Sequence, residues 1–485
     1  MRYVLDKRYR FRGWQKARTG LLDNGRKQTL FLEKGQYQLL LRCDGAHDLD
    51  VAQLSAEHKE FLEKQLAEGV IHPAGPLECL RPEQEYRVYP AEHKGDVQWS
   101  ITGACNLRCR HCFMSAPHAK HGTPSHEQII RVADQLAECG IFRVGLTGGE
   151  PLIRQDFLDI IDALVERGIG ISTIYTNGWL LDGAFLDNLD ARHVHPGFQL
   201  SFDGVGWHDF LRGVSGAEER TIQALKLLQK RDCYASVSMC LHRKNRHVLR
   251  ESVNLLASLG VHSLKCGVMQ EQGEWTQPEM RGLQLTPEEE LRVFEEYIPQ
   301  YFEDDAPLTI MLGGVFMYDP GNARWGAFNL KEVPVEAERD VFACGSLYKT
   351  LYIGAEGMVC PCMGMADTEY AEHFPNLFET PLTDILNDSD FTQLYRMTVG
   401  DLRDRNPLCR ECAHMDLCGG GCRNAALIAG DDYCGIDPGL CWYFKHDGPR
   451  RIEAVAKAPF EAYLKRNPPK EGQGQRMENA LVECP

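Results

Sequence analysis

No apolar run in this 485-residue chain approaches the ~18 residues that a membrane span requires, which sets aside membrane-spanning classes. The opening segment MRYVLDKRYRFRGW is basic and aromatic and lacks an apolar stretch ending in small residues, so it is not a signal peptide, and the expected location is cytoplasmic. Internal repeats are missing. With 43% hydrophobic and 25% charged residues the composition is that of an ordinary globular protein, long enough for about three domains at ~150 residues each. Cysteine, by contrast, is plentiful, with 19 in all. In a reducing compartment these are not disulfides, and metal is the first suspect.

Charge divides the chain. Residues 1–42 hold eleven Lys/Arg against Asp6, Asp23 and Glu33, a local +8 within a formal −16, leaving −24 on the rest. Gln28 to Leu32 reads as a strand, Lys34 to Cys43 carries Tyr37, Leu40 and Leu41 at helical spacing, Ser55 opens a helix with Phe61, Leu62 and Leu66, and a second strand falls near Gly69 to His72. These elements suggest a winged-helix-like module over 1–82, with Pro73, Gly75, Pro76 and Pro82 as a linker. From Val97 strands alternate with helices: Val97–Thr102, Arg143–Thr147, Ile171–Thr176, Phe198–Phe202, Ala235–Cys240 and Ser263–Val268. Ser125 with Gln128 makes a capping box before one of the helices. The expected fold class is α/β: a partial (β/α)6 TIM barrel over 95–310, with its site at the C-terminal strand ends. A bridging segment (311–343), a region rich in Cys, Gly and Pro (344–445), and a helix at Arg451–Lys465 with an unstructured tail (446–485) complete the division.

Cys105, Cys109 and Cys112 form C-x3-C-x2-C just after the first barrel strand. Three thiolates on one loop can hold three irons of a [4Fe–4S] cube and leave the fourth open, as a catalytic site needs; a zinc site with His111 as fourth ligand is the alternative. The next strand ends in Leu146-Thr147-Gly148-Gly149-Glu150-Pro151, where paired glycines allow close backbone approach and Glu150 can meet a cationic amine. Together these two motifs resemble the radical S-adenosylmethionine (SAM) superfamily. The resemblance implies an open iron that chelates the amino and carboxylate groups of SAM, and one-electron cleavage to a 5′-deoxyadenosyl radical that abstracts hydrogen. It also implies that Gly148, Gly149 and Glu150 contact the SAM amine and that His111 stands where the family packs an aromatic residue on adenine. Tyr175-Thr176-Asn177-Gly178 and Ser201-Phe202-Asp203-Gly204 resemble its ribose- and carboxylate-binding segments, giving Thr176, Asn177 and Ser201. Arg212 resembles the arginine that pairs with the SAM carboxylate.

Downstream, Cys344 is followed by Gly357 after twelve residues and by Cys362 after four more; then come Cys409, Cys412, Cys418 and Cys422 in C-x2-C-x5-C-x3-C spacing, and Cys434 and Cys441. A pair of zinc ribbons is the plainer reading. The pattern is similar to the SPASM extension of radical SAM enzymes, which implies two auxiliary [4Fe–4S] clusters, three in all. Carried over, cluster I takes Cys344, Cys362 and Cys422, and cluster II takes Cys409, Cys412, Cys418 and Cys441. No cysteine lies shortly before Cys344, so cluster I has either an open iron or a fourth ligand in Cys360 or Cys434. The residue after Cys362 is Met363, where the sulfatase-activating group has a catalytic Asp, which argues against that activity.

SPASM enzymes mostly modify peptides or proteins, and the N-terminal module resembles the RiPP recognition element of ribosomal-peptide maturases, in which a leader adds a strand to a sheet edge. The resemblance therefore implies an oxidoreductase that crosslinks a precursor peptide through a thioether or carbon–carbon bond, with flavodoxin or ferredoxin as electron donor. Alternatives are a radical SAM enzyme acting on a folded protein or small molecule, a peptide epimerase and, remotely, an Fe–S regulator binding DNA; no membrane partner is expected and a nucleic-acid partner is disfavoured. Asp305, Glu274 and Tyr318, near the bridge, read as solvated loop residues and are given no role, and the general base is unassigned.

Overall fold

Strands in which every second residue is apolar must lie with one face against a hydrophobic layer, and that alternation organises the molecule. The computed structural model describes residues 1–268, 271–321, 324–326, 333–430 and 432–468. The N-terminal region holds seven short strands: β1 (Arg2–Leu5), β2 (Tyr9–Trp14), β3 (Ala17–Asp23), β4 (Gln28–Phe31), β5 (Asp44–Asp48), β6 (Ile71–Pro73) and β7 (Arg87–Val88). They form two sheets, ordered β5-β1-β6 and β4-β3-β2-β7, with helices Lys34–Leu41 and Ala56–Ala67. Ser55 caps the second helix by accepting from the His58 amide. Phe11, Leu21, Tyr37, Leu40, Leu62 and Ile71 make its core. The buried Trp14 joins this region to the next, stacking on Tyr89, touching Phe142 edge-on and donating from Nε1 to the Cys139 carbonyl at 3.1 Å.

Six parallel strands follow as expected: β8 (Asp96–Ser100), β9 (Arg143–Thr147), β10 (Gly170–Tyr175), β11 (Gly197–Ser201), β12 (Ala235–Leu241) and β13 (Ser263–Val268), adjacent in chain order. The helix His126–Glu138 between β8 and β9 has the capping box that Ser125 and Gln128 imply. Val97, Trp99, Val144, Leu146, Phe198, Leu200, Val237 and Leu264 are buried in the large core shared with the helices. The opposite, inner face is polar: Gln98 donates to the Tyr175 hydroxyl at 3.0 Å and Gln199 to the Ser238 hydroxyl at 2.8 Å.

The sheet does not stop at six strands. β14 (Thr309–Leu312) adds in parallel beyond β13, with β15 (Phe316–Asp319) and β16 (Arg324–Gly326) antiparallel after it. On the other edge β17 (Thr350–Ile353) pairs in parallel with β8, Thr350 opposite Asp96, and β18 (Val359–Cys360) turns back antiparallel. The result is one eleven-stranded sheet, open between β16 and β18 among the described residues. Tyr318, read as a loop residue, is instead fully buried among Tyr301, Phe302 and Tyr463. The last helix runs Gly448–Arg466; the tail from 469, with Cys484, lies outside the described residues. No described helix is long and apolar enough to cross a membrane.

Candidate active site

The first three cysteines sit on the loop from Ile101 to Pro124, which leaves β8 at its C-terminal end. Arg154 closes this loop at its base: Nη1 donates to the Ile101 carbonyl at 2.9 Å and the Pro124 carbonyl at 2.8 Å, while Nε and Nη2 grip Asp156 at 2.8 and 2.7 Å. The end of β9 is pressed against the same loop, with the Gly149 amide donating to Thr102 O and the Glu150 amide to Ala104 O. A Cβ on Gly149 would lie 2.2 Å from the Ala104 carbonyl oxygen, so no larger residue fits without moving backbone. Glu150 is fully buried, and its carboxylate accepts from the Asn177 amide at 2.7 Å, Thr176 Oγ1 at 2.8 Å and the Leu152 amide at 3.1 Å. Burial pushes its pKa up to about 7, and those donors partly offset it.

Donors converge on the loop sulfurs. The Leu107 amide points at Cys105 Sγ (3.4 Å), the Ala116 amide at Cys112 Sγ (3.3 Å), Arg212 Nη1 at Cys109 Sγ (3.6 Å) and Asn177 Nδ2 at Cys105 Sγ (3.9 Å). Burial pushes the Cys105 thiol up to about 12 and the Cys112 thiol up to about 11, and their amide donors partly offset it.

Beside them lies a buried charged group. Arg212 Nη2 is 2.7 Å from Asp203 Oδ2, and His111 Nε2 is 4.0 Å from the same oxygen. Burial alone would raise the Asp203 pKa, but Arg212 and then His111 hold it well below the carboxylate range; burial, with the Arg212 charge, lowers His111 to about 4. His111 Nδ1 and Arg212 Nε are buried without hydrogen-bond partners in the protein, polar atoms that a ligand here would meet. Arg212 is thus committed to Asp203 and Cys109 in the ligand-free chain. Ser201 ends β11 half-buried on the inner face, opposite Ser238. Asp203 and Cys240 stand at this site without having been singled out as site residues; the one available signal was an acid directly after an apolar strand end.

In the C-terminal region the thiols separate into two sets. Cys362, raised to about 12 by burial, feels the charges of Cys422 and Cys344. Cys409, Cys412, Cys418 and Cys441 line a single cavity with His414, Asp437 and Phe444. Gly420 in the turn between Cys418 and Cys422 has φ +91°, and a Cβ there would lie 1.9 Å from Leu402 Cδ2. Cys360 is buried, and its thiol donates to the Cys362 carbonyl at 3.2 Å. Cys434 lies apart from the four-thiol cavity, its amide donating to Asp432 and its carbonyl accepting from Asn406.

Spacing between sulfurs distinguishes a cluster from a single ion. Tetrahedral zinc with Zn–S near 2.3 Å would bring its sulfurs to ~3.8 Å of one another. Among the described residues, the one group of three ligand atoms all within 4.8 Å of one another is His111, Asp203 and Cys240, which Arg212 already neutralises. No three cysteine sulfurs among the described residues approach one another that closely.

A polar half-open barrel with a three-thiol loop at its rim is suited to hold an iron–sulfur cluster. Residues 99–256 match the radical SAM superfamily model, and residues 344–413 match the SPASM model, an iron–sulfur cluster-binding domain. The chain carries a radical SAM domain and a SPASM domain, and the cofactors of such domains are [4Fe–4S] clusters and SAM. It is 27% identical over 344 residues to the PqqA peptide cyclase of Granulibacter bethesdensis, covering 70% of this chain and 84% of that one. It is 24% identical over 357 residues to the AdoMet-dependent heme synthase of Methanosarcina barkeri, covering 72% and 96%. In fold it resembles Streptococcus suis SuiB, solved with S-adenosylmethionine, at TM-score 0.61 and 16% identity, over 90% of this chain and 99% of that one. SuiB has also been solved bound to the precursor peptide SuiA.

Proposed function

We propose that this enzyme matures a ribosomally made precursor peptide by joining two residues of its core through a thioether or carbon–carbon bond. The observation that carries the reading is the likeness to the PqqA peptide cyclase across most of that protein's length. When bound, the clusters and SAM supply one-electron transfer and a hydrogen-abstracting radical. Cys105, Cys109 and Cys112 would hold the SAM-binding cluster. Gly148, Gly149 and Glu150 would receive the SAM amine, with Thr176, Asn177, Ser201, His111 and Arg212 around the rest of the molecule. Glu150 is suited to an ammonium because its burial leaves it in need of a cation. Cys344, Cys362 and Cys422 would hold auxiliary cluster I, with Cys360 or Cys434 as candidates for its fourth ligand, and Cys409, Cys412, Cys418 and Cys441 would hold cluster II. The four-thiol cavity supports that second set.

Residues 1–82 are assigned to leader docking as a winged-helix-like recognition element, 95–310 to the barrel, 311–343 to a bridge, 344–445 to the SPASM domain and 446–485 to a terminal helix and tail. Strand β4 supports leader docking: it is an edge strand with Leu30 53% and Phe31 45% exposed, within the segment of +8 charge that suits an acidic leader. A cytoplasmic location and a flavodoxin or ferredoxin donor belong to the same reading. The likeness to a heme synthase favours one rival, a small-molecule substrate. Anaerobic incubation of the reconstituted enzyme with SAM, reductant and any short precursor found encoded beside its gene tests the choice. A product lighter by two hydrogens supports crosslinking, unchanged mass with an inverted residue means epimerisation, and an untouched peptide overturns the reading.

A further inference from the structure

The inner face of β8 to β13 is lined by neutral polar side chains, among them Gln98, Tyr175, Gln199, Ser201 and Ser238. Strand register puts three charged residues on that face. Asp96 and Arg143 pair at the base of the strands, 3.1 Å apart, and Ser172 Oγ donates to Asp96 as well. The third is Lys265, opposite Ser238 on β12 and Met311 on β14. Lys265 is exposed, and it has neither an ion pair nor a hydrogen bond among the described residues. Its charge reaches two different places: the Cys240 thiol, which neighbours Asp203 and His111, and the Cys362 thiol of the SPASM domain. By register it lies beside Ser238 and diagonal to Cys240 on the polar inner face of the sheet.

An ammonium in an open chamber is solvated. Once a substrate fills the chamber and expels water, an unpaired ammonium becomes costly unless the substrate brings a counter-charge. We propose that Lys265 is a specificity residue that binds a carboxylate of the substrate, either an acidic side chain of the peptide core or its C-terminal carboxylate. The substrate class rests on the maturase reading; the carboxylate site does not. Such a contact would fix which residue faces the SAM side and so direct where hydrogen is removed.

The test uses the anaerobic holoenzyme and a precursor peptide identified among the reading frames beside its gene. Each core Asp or Glu is changed in turn to Asn or Gln, and a further peptide carries an amidated C-terminus. One of these peptides is expected to lose about tenfold or more in kcat/KM, Lys265→Gln is expected to lose as much with the unaltered peptide, and the two losses should not add. The sensitive peptide identifies the source of the carboxylate. Lys265→Glu should regain turnover with a lysine at a sensitive side-chain position. Additive losses, no sensitive peptide, or a Lys265→Gln change confined to SAM affinity or to an auxiliary-cluster potential would overturn the proposal. A second readout separates it from the maturase reading: acetylation of Lys265 by an N-hydroxysuccinimide ester, followed by mass spectrometry, should slow with N-acetylglutamate and not with N-acetylglutamine amide, which carries no carboxylate. Protection without any peptide product would retain the carboxylate site and discard the peptide, while equal labelling with both probes would discard the site.

Discussion

Replacing Arg154 by alanine removes four hydrogen bonds at once, two to Asp156 and two to the carbonyls of Ile101 and Pro124, where the cysteine loop begins and ends. Ile101 and Pro124 are buried, so their carbonyls lose a charged donor that water does not readily replace. Hydrogen bonds to charged groups contribute ~1.5–3 kcal/mol each, and breaking a buried pair by removing one partner costs ~3–5 kcal/mol. Taking about 3 kcal/mol for the loop alone, its amides should exchange with deuterium about a hundredfold faster in Arg154→Ala, because exchange through local opening follows its free energy. Hydrogen exchange of segments spanning 103–123, compared with β11 and β12 as internal controls, reads this directly. The variant should also lose about four irons per chain, those of the loop cluster, while the auxiliary sites stay loaded. Arg154→Lys should recover little, since one ammonium cannot reproduce a two-armed grip on a carboxylate and two carbonyls. Loop exchange within a few-fold of wild type, with full iron, would refute the clamp.

Asp156 gives the same clamp a pH dependence. Arg154 holds its pKa down to about 2, below the ordinary ~3.9, so its contribution is present above pH ~4 and fades as pH falls toward 2; the gap in loop protection between wild type and Asp156→Asn should close over that window. Glu290 works in the opposite sense: burial raises it to about 8, so its contribution is full below about pH 4.5 and is lost as pH rises through 8, and Glu290→Gln should melt above wild type at pH 9 but not at pH 5. Glu150→Gln puts an N–H where the Asn177 amide or the Thr176 hydroxyl must donate, and should abolish SAM cleavage, measured as 5′-deoxyadenosine, at a cost of ~1–3 kcal/mol in stability. Cys441→Ala should release about four irons by ferrozine assay, whereas Cys434→Ala should leave the four-thiol site filled.

The six barrel strands were legible as short apolar runs between amphipathic helices, most of them alternating apolar and polar residues, and the helix at Ser125 because its capping box is local. The cysteine sets were legible because loop ligands cluster in sequence. What could not be read depends on partners far along the chain. Strand β17 is only four residues long, and its place beside β8 is set by pairing across about 250 residues. Tyr318 looks like a loop residue until β15 turns it into an aromatic core. Arg212 was legible as a ligand for an anion, but its pairing with Asp203 requires the strand end and the following helix to be seen together. Lys265 is one lysine in an otherwise unremarked strand, and only the register shows that it faces the chamber without a counter-ion.

The junction of β17 with β8 bears on how the protein is made. Until residue 353 has left the ribosome, β8 has an uncovered edge, and β8 is the strand that leads into the first three cysteines. At ~5–20 residues per second, that interval lasts ~10–50 s. An open parallel edge is a template for wrong pairing, so the nascent barrel is most exposed to aggregation during the period in which its first iron-binding loop already exists. Fragments ending before β17 should therefore precipitate rather than fold, and cluster delivery to the cell's newly made enzyme is best timed after the second half of the chain has closed the first.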